Sequence, residues 1–360
     1  MAMTEFTTSS NSTVKRWATD LAVEAEVRSY FRKFMGTGND MPIKVLKDLN
    51  KAAGDRIRYS LRMKLDGYGV TGDNILEGTS GEKSLTFYTD DLLIDQLRVG
   101  VKNKGKMSEQ RVLYNLRKEG RNSLATWWAE TLDAMCFIYL SGARGMDSTL
   151  TIPLGWTGHA SNSLETPDSS HVVYGGNATG LSDIDSGDAM DVELIEQLVS
   201  VAETTDPMIQ PLMYEGERRY VLLLHPWQAY KLRTSISQND WLEIHKAVDG
   251  PNSPIFKNAL GEYAGVVLHK HRNTVRFDST TGCSSGVTAA RGLFLGAQAG
   301  AVAYANGGGP GRFTWHEEMD DRGNALAIST ACIFGITKTR FNSADFGVIA
   351  LDTYAADPTS

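Results

Sequence analysis

Cysteine is almost missing from this 360-residue chain: Cys136, Cys283 and Cys332 are the only three, odd in number and far apart. That excludes a disulfide framework and a four-cysteine zinc site, and fits a reducing compartment. Long apolar runs are missing too. The best candidate, Ala289 to Ala305, is broken by Arg291 and three glycines, so no membrane helix of about eighteen apolar residues is expected. The opening MAMTEFTTSS has no apolar stretch, so no secretory leader is expected either. Nucleophile motifs are lacking. There is no G-x-S-x-G, and Cys283 lies in Thr281-Gly282-Cys283-Ser284-Ser285-Gly286 with no neighbour to lower its pKa. The run Gly307-Gly308-Gly309-Pro310-Gly311 has no following Lys-Ser/Thr, and Gly36-Thr37-Gly38 lacks a third glycine, so no phosphate loop is expected.

What is present is ordinary globular material, 41% apolar and 22% charged, which excludes a disordered or collagen-like chain. The net charge of −7 conceals a division. Residues 1–120 carry 20 Lys and Arg against 16 Asp and Glu; residues 121–360 carry 16 against 27. Gly145 to Glu217 holds thirteen acids and no lysine or arginine, whereas Arg98 to Lys118 holds seven cations and one acid, Glu109. Such a split describes either solvated faces of one globule or complementary halves of an interface between copies. The second reading makes Arg56, Arg58, Arg62, Lys64, Arg98, Lys102, Lys104 and Lys106 the candidate contact cations. Asp183, Asp185 and Asp188 are the candidate acids on an adjacent copy. Nucleic-acid recognition is disfavoured by a pI near 5.6.

Residues Thr19 to Phe34 read as a helix in an arm outside the core, and Met41 to Leu49 as a short helix. Arg56 to Leu65 alternates strictly. Ile57, Tyr59, Leu61, Met63 and Leu65 share one face, and Arg56, Arg58, Arg62 and Lys64 the other. A glycine-rich stretch follows, then strand-like runs at Leu85 to Thr89 and Leu92 to Val101. The pattern predicts an extended hairpin, marginal alone and therefore laid on something else. Ser108 to Leu140 is the longest helical signal, with Trp127 and Trp128 as core residues. A second helix is expected at Ala189 to Val201, a strand at Arg219 to Leu224, and helices at Trp227 to Arg233 and Asp240 to Val248. Strands are expected at Gly265 to Leu268, Phe313 to Met319, Leu326 to Phe334 and Phe346 to Leu351. The order of elements points to α+β, with a sheet closed by distant segments.

The best case for an enzyme rests on His269 and His271, which share a face if they lie on a strand, together with His316, followed by Glu317 and Glu318. These could form a metal site for an enzyme of unknown substrate; the alternative is that they are surface residues on sheet edges.

A further reading comes from a resemblance. Gly54-Asp55-Arg56-Ile57, Gly67-Tyr68-Gly69-Val70-Thr71-Gly72-Asp73, Leu76-Glu77-Gly78 and Leu85-Thr86-Phe87-Tyr88 resemble the hairpin of tailed-bacteriophage major capsid (coat) proteins. Ile94-Asp95-Gln96-Leu97-Arg98 and Lys106-Met107-Ser108-Glu109-Gln110-Arg111 resemble its continuation into a long helix, and Phe341-Asn342 with Asp345-Phe346-Gly347-Val348-Ile349 a C-terminal strand. The likeness is specific over residues 54–145, weaker in the middle and clear again after about residue 324. It implies the α+β coat fold shared by tailed phages and herpesviruses. On that basis 1–54 is an N-terminal arm, 55–105 an extended loop, and 106–189 a peripheral domain with a spine helix at 107–142. Residues 190–310 are an axial domain, and 311–360 are strands returning to the peripheral domain. It also implies a non-enzymatic subunit without cofactor, assembled in the host cytoplasm into the virion capsid. Hexamers and pentamers of the chain would enclose double-stranded DNA without sequence-specific binding or a membrane. Scaffolding, portal and decoration proteins are the other implied partners. No processing of the N-terminus is expected.

Overall fold

Alternation and continuous apolar runs give two different sheets in this protein. The computed structural model describes residues 21–359 apart from 22, 23, 26, 47–53, 63–67, 79, 80, 112–114, 215, 216, 236–258 and 306–312. Its strands begin with β1 (Met35–Gly36), β2 (Ile43–Leu46), β3 (Arg56–Arg62), β4 (Phe87–Leu93) and β5 (Asp95–Lys102). The middle contributes β6 (Val172–Tyr174), β7 (Leu212–Tyr214), β8 (Glu217–Leu224), β9 (Gly261–Tyr263), β10 (Val266–Lys270) and β11 (Arg276–Phe277). Then come β12 (Ala289–Leu295), β13 (Gly300–Ala305), β14 (Phe313–Asp320) and β15 (Ala325–Lys338). The last are β16 (Arg340–Phe341), β17 (Ala344–Asp345) and β18 (Val348–Tyr354). The principal helices are Leu116–Ser141, Val192–Thr204 and Pro226–Ser235.

A six-stranded sheet runs β1-β2-β13-β15-β14, with β5 on the other edge of β15. The long helix packs on this sheet. Trp128 is buried against Phe313 and Phe334, and its indole Nε1 donates to Thr330 Oγ1 at 2.8 Å. An eight-stranded sheet runs β6-β18-β12-β8-β10-β9, with β11 and β7 paired at its margins. Both of its faces are covered. On β8, Val221 and Leu223 join the core beneath the long helix, while Leu222 and Leu224 face the helices Val192–Thr204 and Pro226–Ser235. A strand buried on both sides reads as an unbroken apolar run, as Val221 to Leu224 does. Arg291 of β12 ties the two halves together. It pairs bidentately with Asp352 of β18 at 2.7 and 2.6 Å and donates to the carbonyl of Ser141 at the end of the long helix.

Several expectations are corrected. Residues 43–46 form β2, parallel to β13, not a helix; a pattern this short fits either period, and the sheet decides. The described residues between 21 and 46 pack on the core and do not form a detached arm: Leu21, Ala25, Phe31, Phe34 and Ile43 are buried, and β1 and β2 complete the six-stranded sheet. The helix expected at 107–142 is two helices, Lys106–Gln110 and Leu116–Ser141. The second starts afresh because Asn115 is extended and its side chain accepts from the amides of Arg117 and Lys118. The residues after 311 do not stay together either: β14 and β15 lie in the six-stranded sheet, whereas β18 is central in the eight-stranded one. Likewise 289–305 divides, β12 to one sheet and β13 to the other. The helix expected at 240–248 lies outside the described residues.

Candidate inter-subunit surface

Strands β3 and β4 pair antiparallel from Arg56 opposite Leu93 to Arg62 opposite Phe87, so the connection between them spans residues 63–86. The apolar side chains of this hairpin and its connection have two fates. Near the root, Ile57 and Leu92 are buried with Leu46, Ala301 and Ala303, and Tyr59 packs beside them. Farther out, Tyr68, Ile75, Leu76 and Leu85 in the connection, and Phe87, which the register places opposite Arg62 on the cationic face, are each more than half exposed. Exposed apolar side chains gathered on this connection mark a surface made for contact.

On the cationic face, Arg58 holds Asp91 at 2.7 and 2.9 Å, and Arg56 reaches the same carboxylate at 3.3 Å. The hydrogen bond from Arg58 keeps the Asp91 carboxyl below its usual range. Water and salt screen exposed pairs of this kind, so they add little to stability. Lys102 at the end of β5 pairs with Asp320 at the end of β14, 2.6 Å away. Arg98, Lys104 and Lys106 are exposed and carry no ion pair among the described residues. Arg62 ends β3, and Lys64 lies outside the described residues.

The acids sit elsewhere, in one loop. Asp183 is exposed and accepts from the amide and hydroxyl of Thr179, and Asp185, also exposed, accepts from the amide of Gly187. Asp188 is a correction. It is buried, and its carboxylate holds the turn by accepting from the amides of Asn177 and Asp185, so it is not available to a neighbour. Among the described residues the candidate cations and acids do not meet within one chain: Arg56, Arg58 and Lys102 use Asp91 and Asp320 instead.

Sequence reasoning missed the polar residues at the hairpin root. The Tyr59 hydroxyl donates to Asp90 Oδ2, and that oxygen also accepts from the Arg340 amide at 3.2 Å. Burial, with Asp90 adding to it, holds the Tyr59 hydroxyl well above its usual range. The signal was faint: a charged pair, Asp90-Asp91, interrupting an otherwise apolar strand.

The histidines are core and surface residues, not a centre. His269 on β10 is fully buried, 3.2 Å from Lys33 Nζ and edge-on to Phe34. His271 stacks on Phe137, and burial, with Lys33 and Arg272 nearby, pushes its pKa down to about 4. His316 lies on β14 in the other sheet, with 73% of its side chain exposed. Among the described residues no three His, Cys, Asp or Glu side chains are grouped to hold a metal.

Likeness to known proteins extends along nearly the whole chain. The family described as phage capsid protein matches residues 5–357. The chain belongs to that family. This capsid protein is 29% identical to the major capsid protein of Pseudomonas phage KPP25, over 96% of both chains. Its fold is similar to that in the capsid of Ralstonia phage GP4, with 42% identity, a TM-score of 0.85 and 99% of each chain covered. It is also similar to the capsid of Cyanophage Pam1, at 20% identity and a TM-score of 0.72, over 99% of this chain and 97% of that one; there the likeness is of fold. The capsid role is structural, and the metal-enzyme alternative finds no support. No helix among the described residues is long and apolar enough to cross a membrane.

Proposed function

We propose that this capsid protein is a major shell subunit. Copies form hexamers and pentamers that close into an icosahedral shell around a double-stranded DNA genome, in the virion after assembly in the host cytoplasm. The observation that carries this reading is the 42% identity and near-complete overlap with the Ralstonia phage GP4 capsid. The bare distal part of the hairpin supports it, because those apolar side chains need a cover. In this reading the β3–β4 hairpin laps a neighbouring copy. The long helix and six-stranded sheet serve as the peripheral domain. The eight-stranded sheet with its two helices gathers at the five- and sixfold centres as the axial domain. Arg98, Lys104 and Lys106, with Arg56, Arg58, Arg62, Lys64 and Lys102, face acids such as Asp183 and Asp185 of an adjacent copy. The subunit has no enzymatic role, and scaffolding, portal and decoration proteins are its other partners.

Deleting Tyr68 to Glu82 tests the lapping role by electron microscopy of purified protein. The full chain gives shells or capsomer rings, and the deletion a folded subunit that assembles poorly. Normal shells from the deletion would remove the role.

A further inference from the structure

The hairpin root is held by more than its apolar seam. Asp90 on β4 is a relay: it takes the Tyr59 hydroxyl from β3 and the amide of Arg340 from the segment joining β15 to β18. The Arg340 guanidinium in turn reaches Glu165 Oε2 at 2.5 Å and Asp345 Oδ1 at 3.2 Å. Asp345 is tethered on two further sides. Its carboxylate is 2.7 Å from Lys338 Nζ, both side chains buried, and its amide donates to Asp168 Oδ2 at 2.7 Å. The platform beneath is rigid for local reasons. Asn342 and Ser343 take positive φ values of 52° and 64° between β16 and β17, the backbone of a tight two-residue hairpin turn. The ring of Phe341 then lies edge-on to Tyr59, with centroids 5.9 Å apart. A separate clasp holds the far end of β4: Asn162 accepts from the amide of Leu93 and donates to its carbonyl, at 3.1 and 2.8 Å. Gly335 leaves room there, since a Cβ on it would come within 2.0 Å of the Leu93 oxygen.

Apolar contact is non-directional and tolerates sliding and tilting, whereas hydrogen bonds fix both distance and angle. A partly buried polar network therefore restricts geometry where a seam of Ile57 and Leu92 would not. We infer that Tyr59, Asp90 and Arg340 are positioning residues that fix the angle at which the hairpin leaves the six-stranded sheet. The bare distal side chains then reach a neighbouring copy at one inclination. The inference rests on the lapping reading for its consequence, but its geometry can be tested without assembly.

The experiment is pulsed electron paramagnetic resonance on the unassembled full chain. Spin labels are placed through Asn74→Cys, exposed in the hairpin connection, and Glu130→Cys, exposed on the long helix; the three native cysteines are buried. The parent should give one narrow distance peak. Tyr59→Phe, which keeps the ring against Phe341 and removes only the hydroxyl, and Asp90→Asn should each lose that single peak and give a spread of distances. Circular dichroism on the same samples checks that they are folded. A broad distribution in the parent, or distributions that superimpose for parent and Tyr59→Phe, would overturn the inference. Failure of the lapping role would show instead as normal shells from the Tyr68 to Glu82 deletion, with the spin-label result unchanged.

Discussion

Single residues in this protein act mostly by filling or tying the space between the long helix and the two sheets. Trp128 is the clearest case, because it supplies a large buried ring and also satisfies the hydroxyl of Thr330. Trp128→Ala should cost about 3–5 kcal/mol, read as loss of soluble protein or an early denaturant midpoint. Unchanged unfolding would place the ring outside the core. Asp133 is a buried carboxylate on the same helix. It accepts from the Ser29 hydroxyl and from the amides of Tyr30 and Phe31, so it pins the N-terminal segment to the helix. Burial raises its pKa from 3.8 to about 6, against the lowering effect of those hydrogen bonds, with Glu130 adding a little. The folded state thus favours the protonated form. Its contribution to stability is complete below about pH 4 and is lost as pH rises through about 6, on the order of 3 kcal/mol in all. Asp133→Asn removes the titration, so wild type should lose stability relative to the variant between pH 4 and 7 in thermal melts. Parallel pH profiles would contradict this.

Elements were legible where one physical signal governed them. The alternation at Arg56 to Arg62 predicts a strand, and one is there, because only one face of β3 has a core to meet. The helix Pro226–Ser235 and the strands β10, β14 and β15 were legible for similar reasons. The restart of the long helix was not, since Asn115 sits inside an apolar pattern and only the backbone shows that it is a cap. Its end is set by Gly142, at φ 66°, where a Cβ would lie 2.0 Å from the Glu165 carbonyl oxygen. Asp188 looked like its exposed neighbours because sequence cannot distinguish a carboxylate facing solvent from one folded inward to hold a turn. The segment after β5 carries its own prediction. Lys102, Lys104 and Lys106 are exposed, and among the described residues only Lys102 has an ion pair. Replacing all three by Glu should slow or block shell formation while leaving the subunit folded, because exposed ion pairs contribute little to stability. Wild-type assembly should also weaken as the screening length falls from about 10 Å at 0.1 M salt to 3 Å at 1 M. Light scattering would follow both. Equal assembly of variant and wild type at low and high salt would remove the electrostatic account of this segment.

At the scale of the molecule, the class of fold could be read from the order of elements, but the way the two sheets share the chain could not. Strands β12 and β13 are neighbours in sequence and lie in different sheets, and β18 returns to the interior of the sheet begun by β6. Such long-range pairings leave no local trace. His269 and His271 misled for the same reason: spacing showed a shared strand face but not that Tyr30, Phe34 and Phe137 would cover it. The hairpin is the opposite case. The alternation of β3 and the glycine-rich connection were visible in the residues, but the expected extent of 55–105 was too long, since β5 belongs to the six-stranded sheet; the structure adds that the root is covered by its own subunit while the distal side chains are exposed. The central claim is that a neighbouring copy supplies that missing cover. Electron cryomicroscopy of assembled particles tests it most directly. The account predicts density for the hairpin lying across the adjacent subunit, with Leu76, Leu85 and Phe87 buried there; a hairpin standing free, or folded onto its own subunit, would contradict it.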